Sequence, residues 1–576
     1  MIQLKINNID IVVPENTTIL DAAKSKNIKI PTLCYYPDLH IQSDCRICVV
    51  EIVGQKGLVT SCSTMVREGM VINTNSPRVL NARKTITELI LSNHDASCTA
   101  CSKNMNCELQ SLANKLGIDQ NRFESVLQFM PEDTSNPALV RNPNRCIKCG
   151  RCIDVCKTVQ GINVLETMGR GHEMQISPAY GRFLSDQFCT FCGQCASVCP
   201  VGAITEKDET DVVWKALHDH DKMTIVQVAP SIRVSLGEEV GKKPGSIVTG
   251  KMVAALKLLG FDYVFDTDFT ADLTIIEEGN ELLNRIKKNG VLPMMTSCCP
   301  GWINFAEQYY PEILPHISTC KSPQQMFGAL ANTYFAKKQK IDSKELFVAS
   351  IMPCTAKKYE AKRPEMSVDG VHQDVDVVLT TRELGKMIRQ MGIDFDSLPD
   401  TPFDHPFGIA TGAAAIFGAT GGVMEAALRT VYEVVNDKPL DNLNFTSIRG
   451  MEGVKEAEVD LNGTKVKVAV VHTLASARIM AEQVKNNTSP YAFIEVMCCP
   501  GGCSGGGGQP YGTTNVVRQQ RMDAVYEIDQ KMIIRKSHDN PIVAALYRDF
   551  LGSPTGEVSH KILHTHYHDR RPSEKH

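Results

Sequence analysis

The sequence CIKCGRCIDVC, at residues 146–156, returns as CTFCGQCASVC at residues 189–199. Both segments have the spacing C-x2-C-x2-C-x3-C, and they share the glycine after the second cysteine and the valine before the fourth. An internal repeat of this kind, offset by 43 residues, indicates two copies of one structural unit. The residue types that recur show that the unit is built around thiols.

The spacing resembles that of a bacterial two-cluster ferredoxin, in which three neighbouring cysteines hold one cluster and the fourth cysteine reaches the other cluster. This rule predicts two [4Fe–4S] clusters with crossed ligand sets. The first set is Cys146, Cys149, Cys152 and Cys199, and the second set is Cys189, Cys192, Cys195 and Cys156. The alternative is a pair of zinc knuckles, although zinc sites combine two CxxC halves across a longer gap.

Thiols are frequent in the whole chain, which has 22 cysteines in 576 residues. Residues 1–6 lack the pattern of a secretory signal, so we expect a cytoplasmic protein. In a reducing cytosol so many cysteines would not persist as disulfides, and we expect them to serve as metal ligands. The near balance of 61 basic and 65 acidic side chains argues against nucleic acid as the main partner. The longest uncharged stretch, residues 406–424, is rich in Gly, Ala and Thr, which predicts a buried element rather than a membrane span.

A second type of cluster site is predicted near the amino terminus. Residues 2–13 alternate polar and apolar side chains around Asn7-Asn8, which predicts a β-hairpin, and Thr18 is a candidate cap for a helix that ends before Pro31. A cysteine loop follows, with Cys34, Cys45, Cys48 and Cys62. This order resembles a β-grasp ferredoxin and predicts a [2Fe–2S] cluster, with zinc as the alternative.

The next group of thiols includes a histidine. Its members are His94, Cys98, Cys101 and Cys107. A single histidine is rarely a ligand, but His94 completes a set of three thiols, and we therefore predict a [4Fe–4S] cluster with one imidazole ligand. A neutral imidazole removes one negative charge from the cluster, so its potential is expected to be less negative than that of an all-cysteine cluster.

The character of the sequence changes at about residue 209. Apolar runs at residues 223–228 and 346–350 alternate with helical patterns at residues 271–288 and 381–391, which is typical of an α/β domain with buried strands. The fold class is therefore a multidomain combination of α/β and α+β architecture. We expect a β-grasp domain at 1–78, a small His/Cys domain at 79–136, a two-cluster ferredoxin domain at 137–208 and a large α/β domain at 209–576.

Three short motifs of the last domain carry its remaining chemistry. They are TSCCPGW at residues 296–302, MPCTAKK at residues 352–358 and EVMCCPGGC at residues 495–503. In these motifs, and in the order of the upstream cluster sites, the chain resembles the [FeFe]-hydrogenases over nearly its whole length. The resemblance implies an H-cluster, a [4Fe–4S] cluster bridged to a diiron unit with CO, cyanide and azadithiolate. The implied ligands of its [4Fe–4S] part are Cys299, Cys354, Cys499 and Cys503.

The resemblance also implies roles for residues that would otherwise attract no attention. Lys357 would donate hydrogen bonds to a cyanide ligand. The implied proton route consists of Cys298, Glu278, Ser318, Glu281 and Arg285. The implied pocket wall consists of Ala229, Pro230, Ser231, Gln324, Met352, Phe417 and Met497. Without the resemblance, the charged residues at 278, 281 and 285 would be interpreted as one solvated face of a helix.

The family implies H2 and protons as substrates, and several electron partners remain possible. The chain resembles the catalytic subunit of NAD(P)-linked, electron-bifurcating hydrogenases in its CPGGC segment, its amino-terminal clusters and its HTHYHDR tail. In those complexes, separate subunits bind flavin and nucleotide. A self-contained ferredoxin-dependent hydrogenase is the close alternative, and a non-catalytic electron-wiring subunit is the alternative from another class. No role is predicted for Cys320 or Cys498, and the three histidines at 564, 566 and 568 are expected to be exposed and unstructured.

Overall fold

The computed structural model describes residues 1–125, 127–451 and 453–571, which form two compact units. The first unit comprises residues 1–158, 163–187 and 198–205, and the second comprises residues 159–162, 188–197 and the described chain from 206 onward. Among the described residues, no helix has both the length and the apolar character that crossing a membrane requires.

The first part of the chain contains short elements. Its strands are β1 (Ile2–Ile6), β2 (Ile9–Val13), β3 (Val49–Ile52), β4 (Leu58–Thr60), β5 (Val71–Asn73), β6 (Leu139–Arg141), β7 (Glu166–Met168), β8 (Gln175–Ser177) and β9 (Ile204–Glu206). Its α-helices are α1 (Ile19–Lys24), α2 (Pro77–Leu91), α3 (Glu108–Lys115), α4 (Arg151–Asp154) and α5 (Gln194–Val198).

The later part of the chain contains longer elements. Its strands are β10 (Met223–Val228), β11 (Tyr263–Asp266), β12 (Met294–Met295), β13 (Leu346–Met352), β14 (Val377–Thr380), β15 (Val454–Leu461), β16 (Thr464–His472) and β17 (Phe493–Met497). Its α-helices are α6 (Thr210–Leu217), α7 (Leu236–Glu239), α8 (Thr249–Leu259), α9 (Thr267–Lys287), α10 (Pro300–Tyr309), α11 (Pro323–Leu330), α12 (Ala336–Gln339), α13 (Ala356–Ala361), α14 (Thr381–Gln390), α15 (Gly412–Ala415), α16 (Gly422–Asn436), α17 (Leu474–Lys485), α18 (Asn515–Lys531), α19 (Pro541–Leu546) and α20 (Glu557–Leu563).

The amino-terminal sheet has the order β2-β1-β5-β3-β4, with β1 and β5 parallel. The predicted hairpin is present: Asn7 and Asn8 both have positive φ, as the turn between two closely paired strands requires. The predicted cap is also present, because Thr18 Oγ1 accepts a hydrogen bond of 3.1 Å from the Asp21 amide at the start of α1. The β-grasp prediction is thus confirmed.

The second unit is built on two four-stranded sheets. One sheet is wholly parallel, in the order β11-β10-β13-β14, and the other has the order β12-β17-β16-β15, in which only β15 is antiparallel to its neighbour. The predicted runs become β10 and β13, and the predicted helices become α9 and α14, with ends that shift by a few residues. The glycine-rich stretch is buried through most of its length, as predicted.

The carboxy-terminal histidines do not behave as predicted. His564 is only 6% exposed, whereas His566 and His568 are exposed. The prediction of an unstructured tail was wrong for His564, because the backbone around it pairs with residues 319–321: Lys321 N donates to Leu563 O at 2.8 Å, and Thr565 N donates to Thr319 O at 2.8 Å. The pairing partner lies more than two hundred residues away in the sequence.

Candidate active site

The candidate site lies where strands of both sheets of the second unit end. Ala229 follows β10 and Cys354 lies two residues beyond β13, while the 298/299 pair follows β12 within three residues and the 498/499 pair follows β17 directly. Carboxyl ends of strands in α/β sheets are where ligands bind, because the connecting loops leave a crevice there. Three motifs that are far apart in sequence are thus brought to one place.

These loops enclose a cavity with about 740 Å³ of atom-free space. The predicted site residues in its wall are Ala229, Pro230, Cys298, Cys299, Gln324, Met352, Cys354, Lys357, Phe417, Met497, Cys499 and Cys503. Ser231 is fully buried but is not part of the wall, and its hydroxyl instead accepts a 3.3 Å hydrogen bond from Gln509 Nε2. A mostly apolar wall with four predicted thiolate ligands fits an iron–sulfur cofactor.

The electrostatics of the thiols show that they share one environment. Burial, together with the neighbouring thiols of Cys299 and Cys499, raises the pKa of Cys503 to about 12. Burial also raises the pKa of Cys354, with added contributions from the same two thiols and from Cys503. Cys299 differs, because a hydrogen bond with Cys498 lowers its pKa to about 7. Like charges gathered in this way are unfavourable unless a cation is bound between them.

Among the residues that the structure describes, Lys357 is the only cation in the cavity wall, and it is 8% exposed. Its ammonium donates to Cys298 O at 3.1 Å and to Glu360 Oε2 at 2.8 Å. Burial acts to lower the pKa of Lys357, but the Glu360 carboxylate and the thiols of Cys354 and Cys298 together outweigh burial, and the pKa is raised overall. The side chain therefore remains charged beside the cavity. Gln324 lies in the same wall, and its side-chain Oε1 has no hydrogen-bond partner among the described residues. Its Nε2 donates a hydrogen bond to the Glu360 carboxylate at 3.1 Å.

The predicted proton-route residues lie along α9 and the segment after α10. Glu278 is 2% exposed, and burial together with the nearby Glu281 carboxylate raises its pKa to about 8. Ser318 Oγ donates to Glu281 Oε2 at 2.9 Å, and Arg285 Nη2 donates to Glu281 Oε1 at 2.6 Å. Burial, and then the charge of Glu278, raises the pKa of Cys298. The helix face is therefore not simply a solvated charged face, because Glu278 is buried and Glu281 bonds to Ser318 and Arg285. The passage of protons along it stays a prediction.

In the first unit, the structure gathers the four thiols of the β-grasp domain. Cys34 N donates to Cys45 Sγ at 3.4 Å, and the sulfur atoms of Cys48 and Cys62 are 3.4 Å apart. Arg83 of α2 is 4% exposed and holds the loop by donating to Ile47 O at 3.0 Å and to Val49 O at 2.7 Å. This arginine was not predicted as part of the site, because nothing in its local sequence distinguishes it from a surface residue.

In the His/Cys group, the surroundings of His94 and Cys107 fit a metal site. His94 is half-buried, and the loss of solvent around its ring lowers its pKa. Its Nδ1 has no hydrogen-bond partner among the described residues. Burial raises the pKa of Cys107, and the charge of Cys101 raises it further, so these two thiols are neighbours. A neutral imidazole with a free ring nitrogen is the form that binds a metal.

The structure places the first predicted ligand set of the repeat around one cavity. A single cavity of the first unit is lined by Cys146, Cys149, Cys152 and Cys199. Cys156 is not in that wall. The predicted exchange of the fourth ligand between the two copies accounts for this arrangement.

The other set lies partly in the second unit, where Cys189, Cys192 and Cys195 are found. Burial raises the pKa of Cys192, and Cys195 and Cys499 raise it further, so this thiol lies near the large cavity. Gly193 has φ +70°, and a Cβ there would come within 2.3 Å of Thr355 Oγ1. Cys156 belongs to the first unit, and its assignment to this cluster stays a prediction.

Three features of the site were not predicted from the sequence. Glu360 is 3% exposed and pairs with Lys357, a contact that the i, i+3 spacing in KKYE hints at. Cys498 lies in the cavity wall with its sulfur 3.5 Å from Cys499 Sγ. Thr319 contacts both Glu281 and His564, and no local pattern reveals this arrangement.

Family models match five consecutive ranges of the chain. Their descriptions are a 2Fe-2S iron-sulfur cluster binding domain (residues 1–77), the NADH-ubiquinone oxidoreductase-G iron-sulfur binding region (83–122), the ferredoxin-like domain of NADH-quinone oxidoreductase subunit 3 (136–205), the C-terminal domain of the iron only hydrogenase large subunit (222–507) and the iron hydrogenase small subunit (515–570).

Characterised proteins resemble the chain over nearly its full length. The NADP-reducing hydrogenase subunit HndD of Solidesulfovibrio fructosivorans is 49% identical over 571 residues, which cover 97% of each chain. Iron hydrogenase 1 of Clostridium pasteurianum is 40% identical, with 98% of this chain and 99% of that protein covered. Among solved structures, an apo [FeFe]-hydrogenase HydA1 variant from Chlamydomonas reinhardtii matches with a TM-score of 0.58 and 40% identity, covering 64% of this chain and all of that one.

Proposed function

The chain belongs to the iron-only, or [FeFe]-, hydrogenases, which are oxidoreductases acting on H2, and we propose that it is the catalytic subunit of a complex that couples H2 to NAD(P) and ferredoxin by electron bifurcation. The observation that carries the H2 chemistry is the cavity whose wall holds the four predicted thiol ligands together with Lys357 and Cys298. The relation to an NADP-reducing hydrogenase subunit and the NADH-oxidoreductase type of iron–sulfur region support the link to NAD(P).

The cofactors follow from the thiol groups. We assign one [2Fe–2S] cluster to the first group, one [4Fe–4S] cluster to each of the next three groups, and the H-cluster to Cys299, Cys354, Cys499 and Cys503. The matched family ranges support the division of the chain at residues 78, 136 and 208. When bound, the H-cluster supplies an open iron site for making or splitting H2, and the other clusters carry single electrons.

The residues around the cavity bind the cofactor, exclude water and transfer protons. Lys357 holds a charged donor at the wall, oriented by Glu360 and ready to bind an anionic ligand of the cofactor. Met352, Phe417 and Met497 exclude water. Protons pass between Cys298 and Glu278 at the inner end, and from there by way of Ser318 and Glu281 to Arg285.

Activity of the matured protein tests the first part of the proposal. After anaerobic production with H-cluster maturation, the enzyme should evolve H2 from reduced viologen, and Cys503→Ser should abolish turnover. Cys498→Ala is the matched control, because Cys498 lines the same wall without being an assigned ligand. A fully loaded protein without turnover would contradict the enzyme assignment and would favour an electron-wiring subunit.

A second experiment separates the two electron partners. In a bifurcating complex purified gently under anaerobic conditions, H2 reduces ferredoxin only when NAD(P)+ is reduced at the same time by flavin- and nucleotide-binding partner subunits. If the isolated chain reduces ferredoxin with H2 alone, it is a self-contained ferredoxin-dependent enzyme, an alternative that the relation to Iron hydrogenase 1 supports. The relation to an NADP-reducing hydrogenase subunit and the thiol-rich composition support a cytoplasmic location.

A further inference from the structure

The guanidinium of Arg151 lies where three of the predicted cluster sites meet. Its Nη2 donates a hydrogen bond to Tyr35 O at 2.8 Å, and its Nη1 donates to Val198 O at 3.3 Å. The same two nitrogens donate to the Glu108 carboxylate at 2.9 and 2.7 Å. We propose that Arg151 is a positioning residue for electron transfer, which holds these three sites together as one junction. This inference rests on the cofactors assigned under the proposed function.

Each partner of Arg151 adjoins a predicted ligand in the sequence, and each belongs to a different group of thiols. Tyr35 lies in the [2Fe–2S] group, Glu108 in the His/Cys group and Val198 in the repeat. The adjoining ligands are Cys34, Cys107 and Cys199, in that order, and Arg151 itself lies between Cys149 and Cys152. All of these residues belong to the first unit. A displacement of this one side chain therefore reaches the ligands of three sites.

Arginine is suited to this position by the shape of its side chain. Arg151 is 2% exposed, and its guanidinium centre lies 5.4 Å from the centroid of the Tyr36 ring. A planar fork of five donors can pair with a carboxylate through two nitrogens and still reach two carbonyl groups, whereas an ammonium cannot. The Nε of Arg151 has no hydrogen-bond partner among the described residues. A sulfur atom of the cluster bound by the neighbouring Cys149 and Cys152 would satisfy this buried donor.

The [2Fe–2S] loop has a second attachment close to Arg151. His40 N donates to Asp154 Oδ2 at 2.7 Å, and His40 Nδ1 lies 2.9 Å from Asp154 Oδ1. Asp154 ends α4, three residues after Arg151. A Cβ at Gly150 would come within 3.3 Å of Gln42 Oε1. The loop therefore packs closely against α4, the helix that presents the guanidinium.

The His/Cys group also packs directly against the repeat. Glu108 N donates to Pro200 O at 2.9 Å. A Cβ at Gly202 would come within 2.5 Å of Cys101 Sγ. Because Pro200 directly follows Cys199, the segment that carries this ligand contacts the His/Cys group, and the guanidinium joins the [2Fe–2S] loop to the same place.

Two properties of Arg151 act on electrons at this junction. Electron transfer between clusters slows steeply as their separation grows, so the hydrogen bonds that fix the three segments maintain the rate. The positive charge stabilises the reduced, more negative form of a nearby cluster and so raises its potential. Each transfer moves one electron, which oxidises one cluster and reduces the next. Oxidation of H2 supplies two such electrons and releases two protons at the active site.

The test uses the full-length enzyme with all clusters loaded and the variants Arg151→Gln and Arg151→Lys. Rapid freeze-quench EPR after mixing with H2 follows the reduction of each accessory cluster. In Arg151→Gln, reduction of the [2Fe–2S] cluster should be about tenfold slower, and its reduction equilibrium should fall about tenfold, or about 59 mV in potential. Arg151→Lys keeps the charge, so its potentials should stay close to the wild type while the transfer is slowed. Arg182→Gln is the matched control, because Arg182 is an exposed arginine of the same unit.

Spin–spin splitting in the EPR spectrum of the dithionite-reduced enzyme reports the separation of the clusters without any turnover. It should weaken in both Arg151 variants and stay unchanged in Arg182→Gln. The inference is overturned if rates, potentials and splitting in Arg151→Gln equal those of the wild type, or if Arg182→Gln shows the same changes.

The two Arg151 variants also separate positioning from assembly. If only Arg151→Gln loses a cluster, the rate and the splitting of Arg151→Lys decide in the same way. Loss of clusters from both variants would overturn the inference, because Arg151 would then serve assembly alone. Absence of turnover in the loaded wild-type enzyme would instead overturn the proposed function, since the splitting is measured without H2.

Discussion

Replacement of Glu278 by glutamine tests the proposed proton route at the carboxyl group whose pKa is shifted furthest from its ordinary value. Burial, reinforced by the Glu281 charge, raises the pKa of Glu278 from 4.5 to about 8. A carboxyl group with a pKa near the working pH can both give and take a proton, whereas an ordinary surface glutamate stays ionised. Glutamine keeps the shape of the side chain but cannot carry a proton, so we expect turnover to fall in both directions.

The magnitude follows from the shifted pKa. With a pKa of 4.5, Glu278 would be protonated at pH 7 in about one molecule in 300, whereas with a pKa of about 8 it is protonated in about nine of ten. The loss of a positioned proton carrier typically costs about 10²-fold to 10⁴-fold in rate. H2 evolution needs protonated Glu278 and should decline as the pH rises through about 8, while H2 oxidation needs the ionised form and should increase towards this pH.

Turnover with viologen in both directions, measured across the pH range around the pKa of Glu278, checks these expectations. Glu312→Gln is the matched control, because it makes the same chemical change at an exposed glutamate of the second unit. The infrared bands of the H-cluster report whether each variant is loaded. A loaded Glu278→Gln enzyme with wild-type turnover and an unchanged pH profile would refute the assigned role.

Three further predictions concern the cofactor sites. Lys357→Leu should lose the diiron unit while it keeps the adjacent [4Fe–4S] cluster, and Lys357→Arg should retain part of the diiron unit, as infrared and EPR spectra of the loaded protein can show. Cys199→Ser and Cys156→Ser should each remove a different [4Fe–4S] signal, and loss of the same signal from both variants would contradict the crossed ligand sets. Arg83→Leu leaves two buried carbonyl groups without their donor, at a cost of about 1 to 3 kcal/mol each, so the [2Fe–2S] signal should disappear at a lower temperature than in the wild type.

Local features of the molecule could be predicted because neighbouring residues determine them. The Asn7-Asn8 turn follows from residues that tolerate positive φ, and the start of α1 follows from the Thr18 cap. The cysteine spacings predicted the groups of thiols for the same reason, since each loop presents its sulfur atoms from within a few residues. The limits of β10 were also predictable, because a buried parallel strand is a continuous apolar run.

Contacts between distant segments could not be predicted in this way. The burial of His564 depends on pairing with residues 319–321, and a histidine-rich terminus carries no signal for that pairing. Ser231 has a suggestive position after β10, yet its side chain bonds to Gln509 instead of lining the cavity. Both outcomes depend on which segments meet after folding, a question that the pattern of a single segment does not answer.

Helical geometry explains why Glu281 is more critical than Arg285 to the proposed proton route. On α9, Glu281 lies three residues after Glu278 and four before Arg285, so it joins the buried carboxyl group to the outer arginine. Its Oε2 also accepts hydrogen bonds from Ser318 and Thr319. Glu281→Gln removes the carboxylate that joins these groups and should therefore reduce turnover more than Arg285→Met. Equal losses in the two loaded variants would contradict this central position of Glu281.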